Sequence, residues 1–301
     1  MPHYLDPKND YAFKRVFGEH KHLCISLINS MLPLEKPVVS IEYQPSELIP
    51  TLPGLRNSIV DVRCTDTEGR QFLVEMQMYW TVSFTSRVLF NASKAYIKQL
   101  KKNEEFKFLQ PVYALNFVNE IFEKSPEKAN DFYHHYKIVN IKDTNKQIEG
   151  LEFVFIELPK FKPSNRAEQK LFDLWLLFLT EINMRTEVVP RELMENEILR
   201  EAVGYMEEAA YSEMQLEAYD KYRDIIMTEC MYVSDAFEEG EAKGLAKGME
   251  QGLKKGELKT LERVVLDSYR NGLSIEQIHS FTKFPEEQIN KILKQYGEVS
   301  N

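Results

Sequence analysis

Apolar residues recur at helical spacing from the start of the chain. Between Asn9 and Ile28 they fall at Phe13, Val16, Phe17, Leu23 and Leu27, which predicts a helix with these side chains turned inward. Tyr11, Phe13 and Phe17 read as core residues. The period then changes to two. Ser58 to Cys64 and Gln71 to Met78 read as strands, joined into a β-hairpin by the turn Thr65-Asp66-Thr67-Glu68-Gly69-Arg70. Helical spacing returns from about Ser83 to Lys102, with Val88, Leu89, Ala92, Tyr96 and Leu100 on the apolar side. Pro111 to Val118 and Glu152 to Leu158 are short apolar runs of the buried-strand kind. From about Arg166 onward the pattern is helical, beginning with AEQKLFDLWLLFL. The order α-β-β-α-β-β followed by helices predicts an α/β fold of the mixed α+β kind. A mixed central sheet is flanked by helices and carries a helical C-terminal extension.

Glycine punctuates the later part of that extension. Gly240, Gly244, Gly248, Gly252 and Gly256 recur every fourth residue among Glu, Lys, Ala and Leu. On a helix this makes a stripe of small residues drifting by about 40° per step. Two helices can approach closely along such a stripe. The favoured reading is a marginal, solvated helix or flexible linker, because each Gly costs about 1 kcal/mol relative to Ala. The segment is too charged for a membrane glycine zipper. Beyond it, SYRNGLSIEQIHSFTKFPEEQINKIL holds a capping box, Ser274 with Gln277, and places Pro285 at the first position of a second helix. Two short helices about a tight turn resemble a helix-turn-helix, although most such hairpins are packing units and not DNA readers. The expected organisation is a core over 1–185 and an acidic helical region over 186–238 that packs on or extends it. The glycine segment follows over 239–260, and a small helical tail over 261–301.

Composition narrows the class. A chain of 301 residues can bury one substantial core with room for an appendage. The longest apolar run, Leu174 to Leu179, is too short to cross a bilayer. The first residues show no signal-peptide pattern. Cys24, Cys64 and Cys230 have no paired spacing, so neither a disulfide framework nor a thiolate zinc site is expected. The expectation is a reduced, cytoplasmic protein with no membrane partner. A net charge of −9 argues against a nucleic-acid partner until it is divided along the chain. Residues 1–110 carry 14 Lys+Arg against 12 Asp+Glu, whereas residues 181–240 carry 5 against 16. The acidity belongs to the C-terminal half, and the N-terminal half remains free to approach a phosphate backbone.

Candidate chemistry sits on the hairpin. Strand alternation puts Glu75 and Gln77 on one face and Val74, Met76 and Met78 on the other. The neighbouring strand ends its apolar run Ile59-Val60 in Asp61, which an antiparallel pairing can bring beside Glu75. Converging carboxylates repel, and a hard divalent cation is the usual resolution: Mg2+ takes one or two carboxylates plus waters and a phosphate oxygen. Such an ion polarises a phosphate and acidifies a bound water. The spacing D-x(13)-E-x-Q is short and permissive, and a hairpin showing a polar face to solvent carries similar acids. The histidines make no zinc site. His20 and His22 are two apart, and the adjacent His134 and His135 diverge.

The stretch NSIVDVRCTDTEGRQFLVEMQMYW resembles the core motif of the PD-(D/E)XK nuclease superfamily, in its branch of Rpn recombination-promoting nucleases and transposases. DPKNDYAFKRVFG resembles that branch's N-terminal helix. The segment from Arg87 through Leu100, PVYALNFVN, and the glycine repeat with GLSIEQI resemble its later parts. The resemblance implies a restriction-endonuclease-like fold with Asp61 and Glu75 as metal ligands and the Met76 carbonyl completing the inner shell. Gln77 falls where the motif usually has lysine. A neutral amide can orient water but supplies no charge. The missing cation would then come from Lys14, Arg87 or Lys94. Asp10 falls on the N-terminal helix, where the superfamily often places an acid facing the site. There it would bind a second metal or orient the first metal's water, and it is equally a first-turn acid favoured by the helix dipole. The implied activity is Mg2+- or Mn2+-dependent endonucleolytic hydrolysis of DNA in recombination or transposon-like mobility. The alternative is a weakly active or inactive DNA-binding or self-associating module on the same fold. Expected partners are DNA and a second copy of the chain, since one active site cuts one strand.

Overall fold

The structure, a computed structural model, describes residues 3–48, 58–100, 105–163 and 170–297. Where one helix is expected over residues 9–28, there are two. α1 (Asp10–Glu19) starts at Asn9, whose side chain accepts from the Tyr11 N–H at 2.9 Å, and buries Ala12, Phe13, Val16 and Phe17. The chain leaves helical geometry at His20 (φ −114°, ψ 92°), and α2 (Lys21–Met31) follows. The kink turns the second apolar stripe, Leu23, Cys24, Leu27 and Ile28, onto the same core.

The expected first hairpin strand is also broken. Residues Ser58–Ile59 (β3) pair with Glu47–Leu48 (β2) in a small separate ladder. The chain then bends through Val60 and Asp61 and joins the main sheet as β4 (Val62–Asp66). β5 (Gln71–Gln77) returns antiparallel, with Val62 opposite Val74. The turn between them is set by Asp66: its Oδ1 accepts from the N–H groups of Glu68 (3.0 Å) and Arg70 (2.9 Å), and its Oδ2 from Arg70 Nε (2.6 Å). Gly69 takes the left-handed conformation there (φ +86°), which favours glycine.

α3 (Phe84–Ile97) crosses one face of the sheet to reach β6 (Val112–Val118), which lies parallel to β5. The last two strands form a long hairpin, β7 (Tyr133–Asn140) and β8 (Asp143–Glu157), of which the sequence pattern reveals only the end. With β1 (Ile41–Tyr43), the main sheet has the order β1-β4-β5-β6-β8-β7. Alternation along the strands divides the core in two. Phe72, Val74, Met76, Leu115 and Phe117 face α1, α2 and α4 (Leu171–Glu181), around the fully buried Trp175. Leu73, Val112, Ala114 and Phe155 face α3, on which Val88 and Ala92 are buried while Leu89 is exposed.

The acidic region contributes to the first core. α5 (Arg191–Glu195), α6 (Glu197–Gly204) and the start of α7 (Glu213–Arg270) bury Leu193, Leu199, Ala202, Val203 and Tyr219, and the Leu5 N–H bonds the Met206 carbonyl at 2.8 Å. The chain divides into two compact units, Met1–Thr228 and Glu229–Asn301. In the second, the glycine repeat lies within the continuous helix α7 and is exposed, the solvated-helix form of the expectation, and a Cβ placed on Gly240, Gly244, Gly248, Gly252 or Gly256 would meet nothing within 4 Å among the described residues. α8 (Ile275–Thr282) begins with the expected Ser274–Gln277 capping box, and α9 (Glu286–Gln295) follows with Pro285 as its N-cap, one place earlier than expected. Their core is Val265, Leu266, Ile278, Ile289, Ile292 and Leu293.

Candidate active site

The break before β4 places Asp61. Because residues 60–61 leave the β2–β3 ladder before the chain enters the main sheet, the Asp61 side chain can reach across to β5, where Oδ2 accepts the Met76 N–H at 2.7 Å. Glu75, one residue earlier on β5, projects toward α3 with Gln77. Both carboxylates are largely enclosed, with side-chain exposures of 14% for Asp61 and 9% for Glu75.

Two cations approach from opposite faces of the sheet. Lys14 on α1 binds Asp10 one turn earlier at 2.7 Å and stands 3.6 Å from Asp61. Arg87 on α3 binds Glu75 at 2.7 Å and also donates to Gln77 Oε1. The other end of the Gln77 amide donates to the Tyr79 carbonyl at 2.6 Å. With both ends held, Gln77 acts as a strut for the Arg87 guanidinium.

Three acids, Asp10, Asp61 and Glu75, share two cations, Lys14 and Arg87. Burial holds the Asp61 carboxyl well above its usual range, reinforced by a hydrogen-bonding contact with Asp10 and by the charges of Asp10 and Glu75, against the opposing Met76 N–H. Burial likewise raises Glu75, and Asp10 adds to it; Arg87 and Lys14 oppose without cancelling the shift. For Lys14, burial favours the neutral amine, but Asp10 and Asp61 together outweigh it and the ammonium is held above its ordinary value.

Of the residues singled out in the sequence, Asp10, Lys14, Asp61, Glu75, Gln77, Arg87 and the Met76 backbone come together. Lys94 does not join them. It lies two turns beyond Arg87, and its ammonium donates to the Leu48 carbonyl at 3.0 Å and stands 3.5 Å from the Ser58 hydroxyl, tying α3 to β2 and β3. Three further neighbours belong to no motif. The Tyr79 carbonyl fixes Gln77. Asn116, opposite Glu75 on β6, is buried and donates to the Ala114 and Val154 carbonyls, both at 3.1 Å. Asn91, one turn after Arg87, is 1% exposed, and its amide oxygen and nitrogen have no hydrogen-bond partner among the described residues. Its signal in the sequence is an amide on the inward stripe of an otherwise apolar helix face.

The donor set suits a hard divalent cation. Asp61, at the entry to β4, and Glu75 on β5 are oxygen donors, and their charged forms are disfavoured where they stand. Among the described residues no group of three or more His, Cys, Asp or Glu side chains is placed to hold a metal ion. Mg2+ needs no such cluster, since one or two carboxylates with waters and phosphate oxygens suffice.

A mixed sheet flanked by helices, with an acid at the entry to one hairpin strand and Glu75 on the next, is consistent with the PD-(D/E)XK class of α/β proteins, with Gln77 in place of the motif lysine. Residues 7–236 match the family described as PD-(D/E)XK nuclease family transposase, and the chain belongs to that family. No match was found among curated proteins or among solved structures. Among the described residues, no helix is long and apolar enough to cross a membrane.

Proposed function

We propose that this chain is a divalent-metal-dependent DNA endonuclease of the Rpn type, acting in recombination or transposon-like DNA mobility. The observation that carries the proposal is the convergence of Asp61 and Glu75 with a cation from each face of the sheet, at the motif of a nuclease family. Asp61 and Glu75 would hold Mg2+ or Mn2+, with the Met76 carbonyl as the backbone donor. When bound, the ion supplies positive charge to the phosphate and acidifies a water.

The chain's own residues divide the remaining work. The Met76 N–H orients Asp61, and Lys14 holds Asp10 against it. Arg87, braced by Gln77, supplies the charge that the motif lysine would otherwise bring to the pentavalent phosphate. This role replaces the water-orienting one expected for Gln77, because both ends of its amide are engaged. The test is cleavage of supercoiled plasmid in Mg2+, Mn2+ or Ca2+ by wild type, Asp61→Ala and Glu75→Ala. The proposal expects nicking in Mg2+ or Mn2+ that falls by at least about 100-fold in both folded variants. Wild-type protein that is folded and inert in every ion would instead leave a DNA-binding module on a nuclease fold.

A further inference from the structure

A recess of about 490 Å3 is lined in part by residues that neighbour the candidate active-site residues in sequence. Its wall includes Asn9, the residue before Asp10, and Met78 and Tyr79, the residues after Gln77. The opposite wall comes from Met184 and Arg185 in the loop after α4, and from Tyr222 and Arg223 on α7. The volume falls in the range of small-molecule and cofactor pockets.

The chemistry of the lining is mixed in a particular way. Tyr79, Tyr222 and the thioethers of Met78, Met184 and Met227 offer flat and adaptable apolar surface. Tyr219 is buried behind them and accepts the Asp6 N–H on its hydroxyl at 3.0 Å, which fixes the floor. Lys8 is spoken for, tied to the Leu179 carbonyl at 3.1 Å and to Asp6 at 3.0 Å. Arg223 is paired with Asp220 at 3.2 Å, outside the lining. Arg185 is exposed, and among the described residues its guanidinium has no ion-pair partner. An occupant with a flat aromatic body and an anionic end matches these walls. In a stacked duplex the bases are covered on both faces, so only an unstacked base can enter a recess.

We propose that this recess receives the unstacked base of the nucleotide next to the scissile phosphate. Its ring lies against Tyr222 and the thioethers, and its phosphate lies toward Arg185 and Arg223. The inference rests on the DNA-nuclease reading above and narrows its substrate to DNA with an unpaired or single-stranded position at the cut. Base–aromatic stacking tolerates any sequence, so the recess selects strandedness and not a base.

The test uses the full chain in Ca2+ and a short single strand carrying 2-aminopurine, compared with the same strand in a duplex. Tyr222→Ala is expected to lower single-strand affinity about 5- to 100-fold and to abolish the fluorescence change on binding, with duplex affinity unaltered. Tyr222→Phe, which keeps the ring, retains wild-type affinity. Arg185→Ala, at an exposed position that does not endanger folding, weakens the single strand and reduces the slope of log affinity against log salt by about 0.7. Equal losses on single strand and duplex in Tyr222→Ala, or an Arg185→Ala variant indistinguishable from wild type, would overturn the proposal. The readout is binding and not cleavage, so a chain that never nicks plasmid still shows whether the recess holds a base. A failed stacking signal likewise leaves the nicking result intact.

Discussion

Gln77 shows how one side chain's meaning depends on what reaches it. In the sequence it is a departure from a motif lysine, and the charge it lacks has three candidate sources. In the structure its oxygen takes a hydrogen bond from Arg87 and its nitrogen gives one to the Tyr79 carbonyl. Arg87→Ala is therefore expected to reduce the single-turnover cleavage rate by about 10²–10³, the scale of losing one positioned donor to a developing negative charge. Adding Gln77→Lys to Arg87→Ala returns a cation to the strand and recovers at least about tenfold of that loss. An Arg87→Ala enzyme as fast as wild type would show that the charge comes from elsewhere. The shared face of Glu75 and Gln77 is legible in the sequence because strand alternation is a local rule. The choice among Lys14, Arg87 and Lys94 is not, since it depends on where α1 and α3 lie against the sheet. Lys94 shares α3 with Arg87 yet serves the Leu48 carbonyl.

At the scale of elements, the regular stretches are readable and their interruptions are not. The β4–β5 hairpin follows from period-two alternation and an Asp-x-x-Gly turn, but the bend at Val60–Asp61 that aims Asp61 depends on β2, a distant partner. The break at His20 is likewise tertiary: its ring shares a hydrogen bond with the Arg15 carbonyl at 2.9 Å and lies 3.9 Å from the Tyr205 ring. β7 escapes the pattern because Tyr133–Asn140 is an edge strand whose apolar residues, Tyr133, Tyr136, Ile138 and Val139, follow no period of two. Its anchor is Glu157 at the end of β8, fully buried and bonded to the Phe122 and Glu123 N–H groups at 2.6 and 2.9 Å, to His134 at 3.0 Å and to Lys160 at 2.6 Å. Burial alone would raise this carboxyl, but Lys160, the Glu123 and Phe122 N–H groups and His134 together hold it below its ordinary value.

A depressed carboxyl contributes stability above its unfolded value of about 4.3 and loses it as pH falls through the lower folded value. Glu157→Gln should therefore destabilise the protein by about 3–5 kcal/mol at pH 7, the cost of stranding one member of a buried ion pair. The gap to wild type should close as the pH falls below about 4. Chemical denaturation of both proteins across that acidic range, starting from neutral pH, measures it. A gap that stays constant throughout would mean the glutamate acts by shape and not by charge.

At the scale of the molecule, the net charge of −9 loses its force against a DNA partner once its location is known. The acids of residues 186–228 decorate helices whose other faces complete the first core through Leu193, Leu199, Val203 and Tyr219. The sequence leaves the job of these helices open because packing alone reveals which face is buried. Of the two forms expected for the glycine repeat, a solvated helix and a flexible linker, it takes the helix over its whole length. The long helix has good formers between its glycines, and propensity is a weak local prior. The proposed function rests on the enclosed carboxylates of Asp61 and Glu75, whose charged forms burial disfavours. The most direct measurement is calorimetric titration of Mn2+ into wild type, Asp61→Asn and Glu75→Gln, each with its fold verified by circular dichroism. Uptake by wild type that is lost in both folded variants is the predicted result. Equal uptake by all three, or none by wild type, would contradict a metal centre at Asp61 and Glu75.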